Sequence, residues 1–205
     1  MRTNDVVLAR ALLVIPPLLL VAGWSLLIAN AGRGPDDAWA GGHLVLFVAN
    51  AMWVPAMLAI IRLTGSGRDD GRRSPRFGLF ALGLVIFGSV CVAGQLAVDL
   101  VAWALAFDAA QLRELFAAMR ARPVLLALFY LVGPPLLFAG LLIGGMLLQR
   151  LGGRARAGGR TVAAGLVVVL VGALSTFSLV TLAGYVAVLA GFALVATTID
   201  ATDLS

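Results

Sequence analysis

Long apolar runs alternate with short polar stretches along the whole chain. The runs cover about residues 6–29, 43–63, 77–107, 123–148 and 161–199. A helix rises 1.5 Å per residue and a bilayer core is about 30 Å thick, so about 20 apolar residues make one crossing. The first, second and fourth runs each predict one span. The third would be about 46 Å long as a helix. It is predicted to tilt or to project beyond the membrane, with its span at about 77–103. The last run would be about 58 Å long, too much for one crossing. It is predicted to fold back near Ser175-Thr176-Phe177-Ser178, giving spans at about 161–177 and 180–199. The fold class that follows is all-α: a polytopic membrane protein with six transmembrane helices, residues 1–205 forming one domain.

One stretch has a different pattern. In 108–122, Leu112, Leu115, Phe116 and Met119 recur as one apolar stripe, while Arg113, Ala117 and Arg120 lie on another side. Asp108 and Gln111 resemble a capping box, and Pro123 ends this helix or opens the next. A short amphipathic helix is predicted here, lying in the membrane interface or covering the bundle. Pro16-Pro17 and Pro134-Pro135 fall inside the first and fourth runs, where missing N–H groups bend a helix. Gly140 and Gly144 form a GxxxG pair, and Ala183, Ala187 and Gly191 repeat small residues; both patterns permit close helix approach. Residues 32–42, 64–76 and 150–160 read as loops.

Composition agrees with this picture. The chain is 61% hydrophobic and 12% charged, with mean hydropathy +1.04, against about 25% charged in a soluble domain. All fifteen basic residues are Arg, and the net charge is +5. In a soluble protein that balance would point to nucleic acid; here the arginines flank apolar runs and read as topology signals, so no nucleic-acid partner is expected. Eleven arginines fall at one set of alternate ends (Arg2, Arg10, five from Arg62 to Arg76, four from Arg150 to Arg160) and four at the other. The positive-inside rule puts both termini in the cytoplasm. Trp24, Trp39 and Trp103 fall at the opposite, outer ends, as an aromatic belt requires. The all-Arg basic set with heavy Ala, Leu, Val and Gly usage fits a GC-rich bacterial genome and an inner membrane. Ala29-Asn30-Ala31 also matches a signal-peptide cleavage pattern, although the first apolar run is long for one.

The third run carries a line of polar residues, Ser89, Cys91, Gln95 and Asp99. Consecutive antiparallel spans are usually neighbours, so His43, at the start of the second span, can approach Asp99. His43, Phe47 and Asn50 share one face, as do Cys91, Gln95 and Asp99. Asp99, Gln95, His43 and Asn50 are therefore the candidate ligand-binding residues of a polar site near the outer leaflet. Asp99 would accept a proton or hydrogen bonds, His43 would tune it, and Gln95 and Asn50 would orient a ligand. Two plainer readings stand beside this one. Asp99 could be hydrated at the interface, or the pair could be a structural ion pair.

The residue inventory excludes several chemistries. No Lys means no retinal Schiff base and no lysine nucleophile. One His excludes a three-His zinc site, a di-iron site and, within one chain, a bis-histidine haem. One Cys excludes an intrachain disulfide and any multi-cysteine metal site. Ser89 lacks a nucleophile-elbow pattern. Asp69-Asp70-Gly71 has too few acids for a metal motif. No metal site, cofactor or catalytic residue is assigned. In size and span count alone the chain is similar to many small bacterial membrane proteins, including substrate-binding components of vitamin transporters; no motif supports the likeness. Three functions fit: a ligand-binding or transport/envelope-system subunit, a lipid-directed enzyme with a His/Asp acid–base pair, or an assembly subunit using the GxxxG face. The expected partners are the lipid bilayer, other membrane subunits, and lipid phosphates or a cytoplasmic subunit such as an ATPase at the Arg-rich loops.

Overall fold

The computed structural model describes residues 3–31, 36–65, 75–106, 108–175 and 177–199. Among them there are helices and no strand. The order is α1 (Thr3–Ala29), α2 (Asp37–Ala51), α3 (Trp53–Gly65), α4 (Pro75–Leu105), α5 (Ala109–Arg120), α6 (Pro123–Leu126), a π turn (Ala127–Val132), α7 (Gly133–Leu148), a 3-10 turn (Gln149–Leu151), α8 (Gly153–Leu174) and α9 (Ser178–Ala196). Six helical rods are long and apolar enough to cross a membrane. The protein is an all-α multi-pass membrane bundle. Arg2, Arg33, Arg68, Asp69, Asp70, Arg72, Arg73 and Thr176 lie outside the described residues.

The second rod starts earlier than the apolar run suggests and is broken in the middle. Asp36 caps α2, its carboxylate accepting from the Trp39 N–H at 2.9 Å. His43 therefore sits inside the helix rather than at its start. Pro55 has no N–H to offer the Ala51 carbonyl, and the rod divides there into α2 and α3 at Met52. The fourth rod also departs from a plain helix. Pro134 and Pro135 cannot donate to the carbonyls of Tyr130 and Leu131. The backbone widens over the preceding six residues into a π turn, closed by the Gly133 N–H on the Leu128 carbonyl.

The stretch 150–160 is mostly helix, not loop. Gly152 and Gly153, at φ 82° and 47°, make the turn, and α8 begins at Gly153 rather than near 161. Gly158 and Gly159 look like loop residues but are packing residues. A Cβ on Gly158 would stand 2.6 Å from the Gly191 carbonyl, and one on Gly159 2.7 Å from the Gly145 carbonyl. The fold-back of the last run falls where expected, with α8 ending at Leu174 and α9 starting at Ser178. The packing face of α9 is offset by one residue from the Ala183/Ala187 stripe: Gly184, Val188 and Gly191 are buried and Ala183 is exposed.

The core fills one half of the bundle. Leu13 of α1, Trp53, Met57 and Ile60 of α3, Leu141 of α7 and Phe192 of α9 belong to one buried cluster. The arginine-bearing ends gather on that side. Arg10 Nη2 donates to the Ile199 carbonyl at 2.8 Å, and the Arg150 guanidinium lies 5.9 Å from the Phe77 ring centre. The GxxxG pair is spent inside the chain: Gly140 lies against Ala81 and Val85 of α4, and Gly144 against Met57 and Ile60 of α3.

Candidate functional site

The polar residues lie in the other half, and their register is set below them. Asn50 Nδ2 donates to the Ser89 carbonyl at 2.7 Å, and Ser89 Oγ donates to the Asn50 carbonyl at 3.5 Å. These bonds tie α2 to α4. His43 is seven residues before Asn50 and Asp99 ten after Ser89. The helices are antiparallel, so both displacements run toward the same end, by about 10 and about 15 Å. The two side chains meet there, His43 Nε2 standing 3.7 Å from Asp99 Oδ2. His43 is 8% exposed and Asp99 7%. The carboxylate is buried.

The proton count of the pair follows from geometry. His43 Nδ1 is 2.9 Å from the Trp39 carbonyl oxygen. A carbonyl only accepts, so Nδ1 carries hydrogen. Nε2 then meets the carboxylate with a lone pair unless a second proton is present. Two facing acceptors repel, so the contact is attractive only when the pair holds one further proton, on Nε2 or on Asp99. At 3.7 Å the contact is an ion-pair separation, longer than a hydrogen bond. Trp39 also stacks on the imidazole, with ring centres 3.7 Å apart and planes at 34°. One residue thus fixes the histidine through its backbone and through its face.

Tyr130 completes the group. Its hydroxyl donates to Asp99 Oδ1 at 3.3 Å. It comes from the π turn, which runs along α4: Phe129 lies beside Gly94, and Gly133 abuts Cys91. Sequence reading missed Tyr130, because a tyrosine in an apolar run is unremarkable by itself. The available signal was its position four residues before Pro134, where the helix must lose a backbone bond.

A cavity of about 210 Å³ opens on this group, lined by Trp39, Asp99, Phe116 and Tyr130. Its cover is α5, which forms as the amphipathic pattern predicts. Asp108 Oδ1 accepts from the N–H groups of Ala110 and Gln111 at 2.9 and 2.8 Å, Leu112 is buried, and Phe116 stands 6.4 Å from Trp39, ring centre to ring centre.

Two predicted site residues are placed differently. Asn50 is buried in the α2–α4 seam and engaged with Ser89, so it sets register and does not line the cavity. Its Oδ1 is buried without a hydrogen-bond partner. Gln95 is half-buried, off the cavity wall, and not bonded to His43 or Asp99. Residues four apart on a helix drift by about 40° per step. The stripe that starts on Gly133 at Cys91 has therefore turned toward α2 by Asp99, leaving Gln95 on the flank.

Chemically, the arrangement presents to the cavity one carboxylate with a fixed tyrosine donor, backed by an imidazole. His43 is not part of the cavity lining: its Nδ1 is bonded to the Trp39 carbonyl and its Nε2 stands behind Asp99 at ion-pair distance, so the imidazole acts on a cavity occupant through the carboxylate. No family model matches the chain, nor does any curated protein or solved structure.

Proposed function

We propose that the protein is a small-ligand-binding subunit of a membrane transport or envelope system, with Asp99 and Tyr130 as the ligand-contacting residues. The observation that carries this reading is a buried carboxylate that faces a cavity while its other side is held by His43. Intramembrane ionisable groups are costly, and those kept at a cavity wall are functional candidates first. Asp99 accepts a hydrogen bond or a proton from the ligand. His43 compensates by holding or releasing the proton of the pair, and Trp39 and Phe116 pack against an apolar or aromatic part.

By the arginine distribution, the cavity opens toward the outer leaflet and both termini are cytoplasmic. The cell is bacterial and the membrane its inner one in this reading. The lipid-directed enzyme is less favoured, because the imidazole is not among the residues that line the cavity.

The test is native mass spectrometry with an absorbance spectrum on protein purified in mild detergent. A small molecule retained by the wild-type chain and lost from Asp99→Asn, with folding kept, is the expected result. A chain that carries only bulk lipid before and after the substitution ends the proposal.

A further inference from the structure

A second cavity, of about 360 Å³, adjoins the polar one, and Tyr130 lines both. Its size falls within the range of about 300–1,000 Å³ usual for sites that enclose small molecules. Val101 and Leu105 of α4, Leu115 and Met119 of α5, Leu125 of α6 and Phe129 of the π turn form its main walls. The polar side chains that reach it are Tyr130 and Arg122. Val101 and Leu105 are exposed on a membrane-spanning helix, so the cleft opens sideways into lipid. A bilayer molecule can enter it without crossing water.

Arg122 gives the cleft its chemistry. It stands at the joint between α5 and α6, where the chain leaves the interfacial helix and enters the membrane as a new span. Arg122 lies just beyond the end of α5, in extended backbone, and lines the cleft together with Leu115 and Met119 of that helix. Arg122 is exposed, and no side-chain hydrogen bond or ion pair joins it to another described residue. A guanidinium presents paired donors that match a phosphate. Among the described residues that line the cleft there is no carboxylate, so the ammonium of a zwitterionic head group would find no partner among them.

From this combination we infer that the cleft between α4, α5 and the π turn is a binding site for an anionic phospholipid. One acyl chain lies along Val101, Met119 and Phe129, and the phosphate pairs with Arg122. The site rests on its own lining and its own cation. It stands whether or not the polar cavity takes a ligand.

The experiment places the purified chain in an equimolar mixture of phosphatidylglycerol and phosphatidylcholine and counts retained lipids by native mass spectrometry. The wild type keeps one lipid per chain, with phosphatidylglycerol favoured about tenfold, the scale of one charge-assisted hydrogen-bonded contact. Arg122→Gln brings the ratio close to one. Arg122→Lys, which keeps charge but not the paired donors, gives an intermediate ratio and serves if the glutamine variant does not fold. Val101→Phe fills the cleft and lowers retention of both lipids. Val171→Phe, at an equally exposed position on α8, leaves retention as in the wild type. Equal retention of the two lipids by the wild type, a preference that survives both arginine variants, or equal losses from Val101→Phe and Val171→Phe would each overturn the inference.

Discussion

The α8–α9 hairpin and the corner built by α4, α5 and the π turn solve helix packing in opposite ways. In the hairpin, Gly158, Gly165 and Gly172 recur every seven residues on α8 and face Gly191, Gly184 and Thr181 of α9. Backbones touch directly, and Cβ positions built on Gly158, Gly165, Gly184 and Gly191 would fall 2.6–2.8 Å from the nearest atom of the opposite helix. Within a membrane, where lipid is as apolar as any side chain, such close packing is the main attraction available between helices. The corner gives that up. A proline pair opens the helix, aromatic and long apolar side chains hold α5 away from α4, and two cavities remain. Tight packing joins α8 to α9 along their length, and loose packing leaves space for an occupant in the corner.

The largest expected effect comes from breaking the tight region. Gly158→Leu drives a side chain into the Gly191 carbonyl and the Val195 side chain. Overpacking typically costs about 1–3 kcal/mol and more where backbone is struck, and loss of monodisperse protein on size exclusion is the expected outcome. Gly83, with open space around its Cβ direction, is the matched control. Gly83→Leu leaves the elution profile intact. If both variants behave alike, the glycine stripe does not hold the hairpin.

Next comes Asp99→Leu. It removes the acceptor that faces the buried His43 imidazole and the acceptor of the Tyr130 hydroxyl. The expected loss is about 1–3 kcal/mol, read as a lower unfolding temperature in detergent. Asp99→Asn, with nearly the same shape, retains most of the stability. A leucine variant as stable as wild type would mean that the pair is not held together by its polar contact.

The two regions were also unequally legible in the sequence. Run lengths alone gave six crossings, the fold-back near 175–178 and the amphipathic helix, because hydrophobic thickness and helical rise leave few other solutions. The approach of His43 to Asp99 followed from antiparallel neighbours. What failed was the reading of glycine and proline. Gly152-Gly153 and Gly158-Gly159 look alike as letters, yet one pair turns the chain and the other packs helices, a difference set by what lies opposite. Pro55 and Pro134-Pro135 announced lost backbone bonds but not how each would be absorbed, once by a break and once by a π turn. Gln95 was grouped with Asp99 because a four-residue spacing was treated as a fixed face, and the drift of a real helix leaves it on the flank; Asn50 was grouped with His43 across three- and four-residue steps, and its bonds with Ser89 hold it in the α2–α4 seam instead.

A smaller effect tests whether the corner depends on the seam beneath it. Asn50→Ala removes the donor to Ser89 and also an acceptor that has no partner. One hydrogen bond of this kind is worth about 1 kcal/mol net, and losing the unpaired Oδ1 offsets part of that. The stability change should therefore be modest. The register change should be visible: a cysteine pair at His43 and Asp99, in a chain where Cys91 has been replaced by Ala, should cross-link less readily once Asn50 is gone. Unchanged cross-linking would show that the α2–α4 register is set by apolar packing instead.

The smallest expected effect is that of Tyr130→Phe, and it sharpens the comparison most. The ring stays, so the walls of both cavities keep their shape. Only the hydroxyl on Asp99 Oδ1 is lost, at 3.3 Å a long bond, worth about 0.5–1 kcal/mol. In the dry hairpin, removing one polar contact of that size would pass as a stability change alone. In the corner, Tyr130 fixes the direction in which Asp99 presents its free lone pairs. The unfolding temperature should then fall little, while affinity for whatever molecule the polar cavity retains falls about twofold to fivefold. The two readouts separate because the hydroxyl is spent on orienting the carboxylate and not on holding helices together. A parallel decline in stability and retention would place Tyr130 with the packing residues, and the corner would then be a less well filled version of the hairpin.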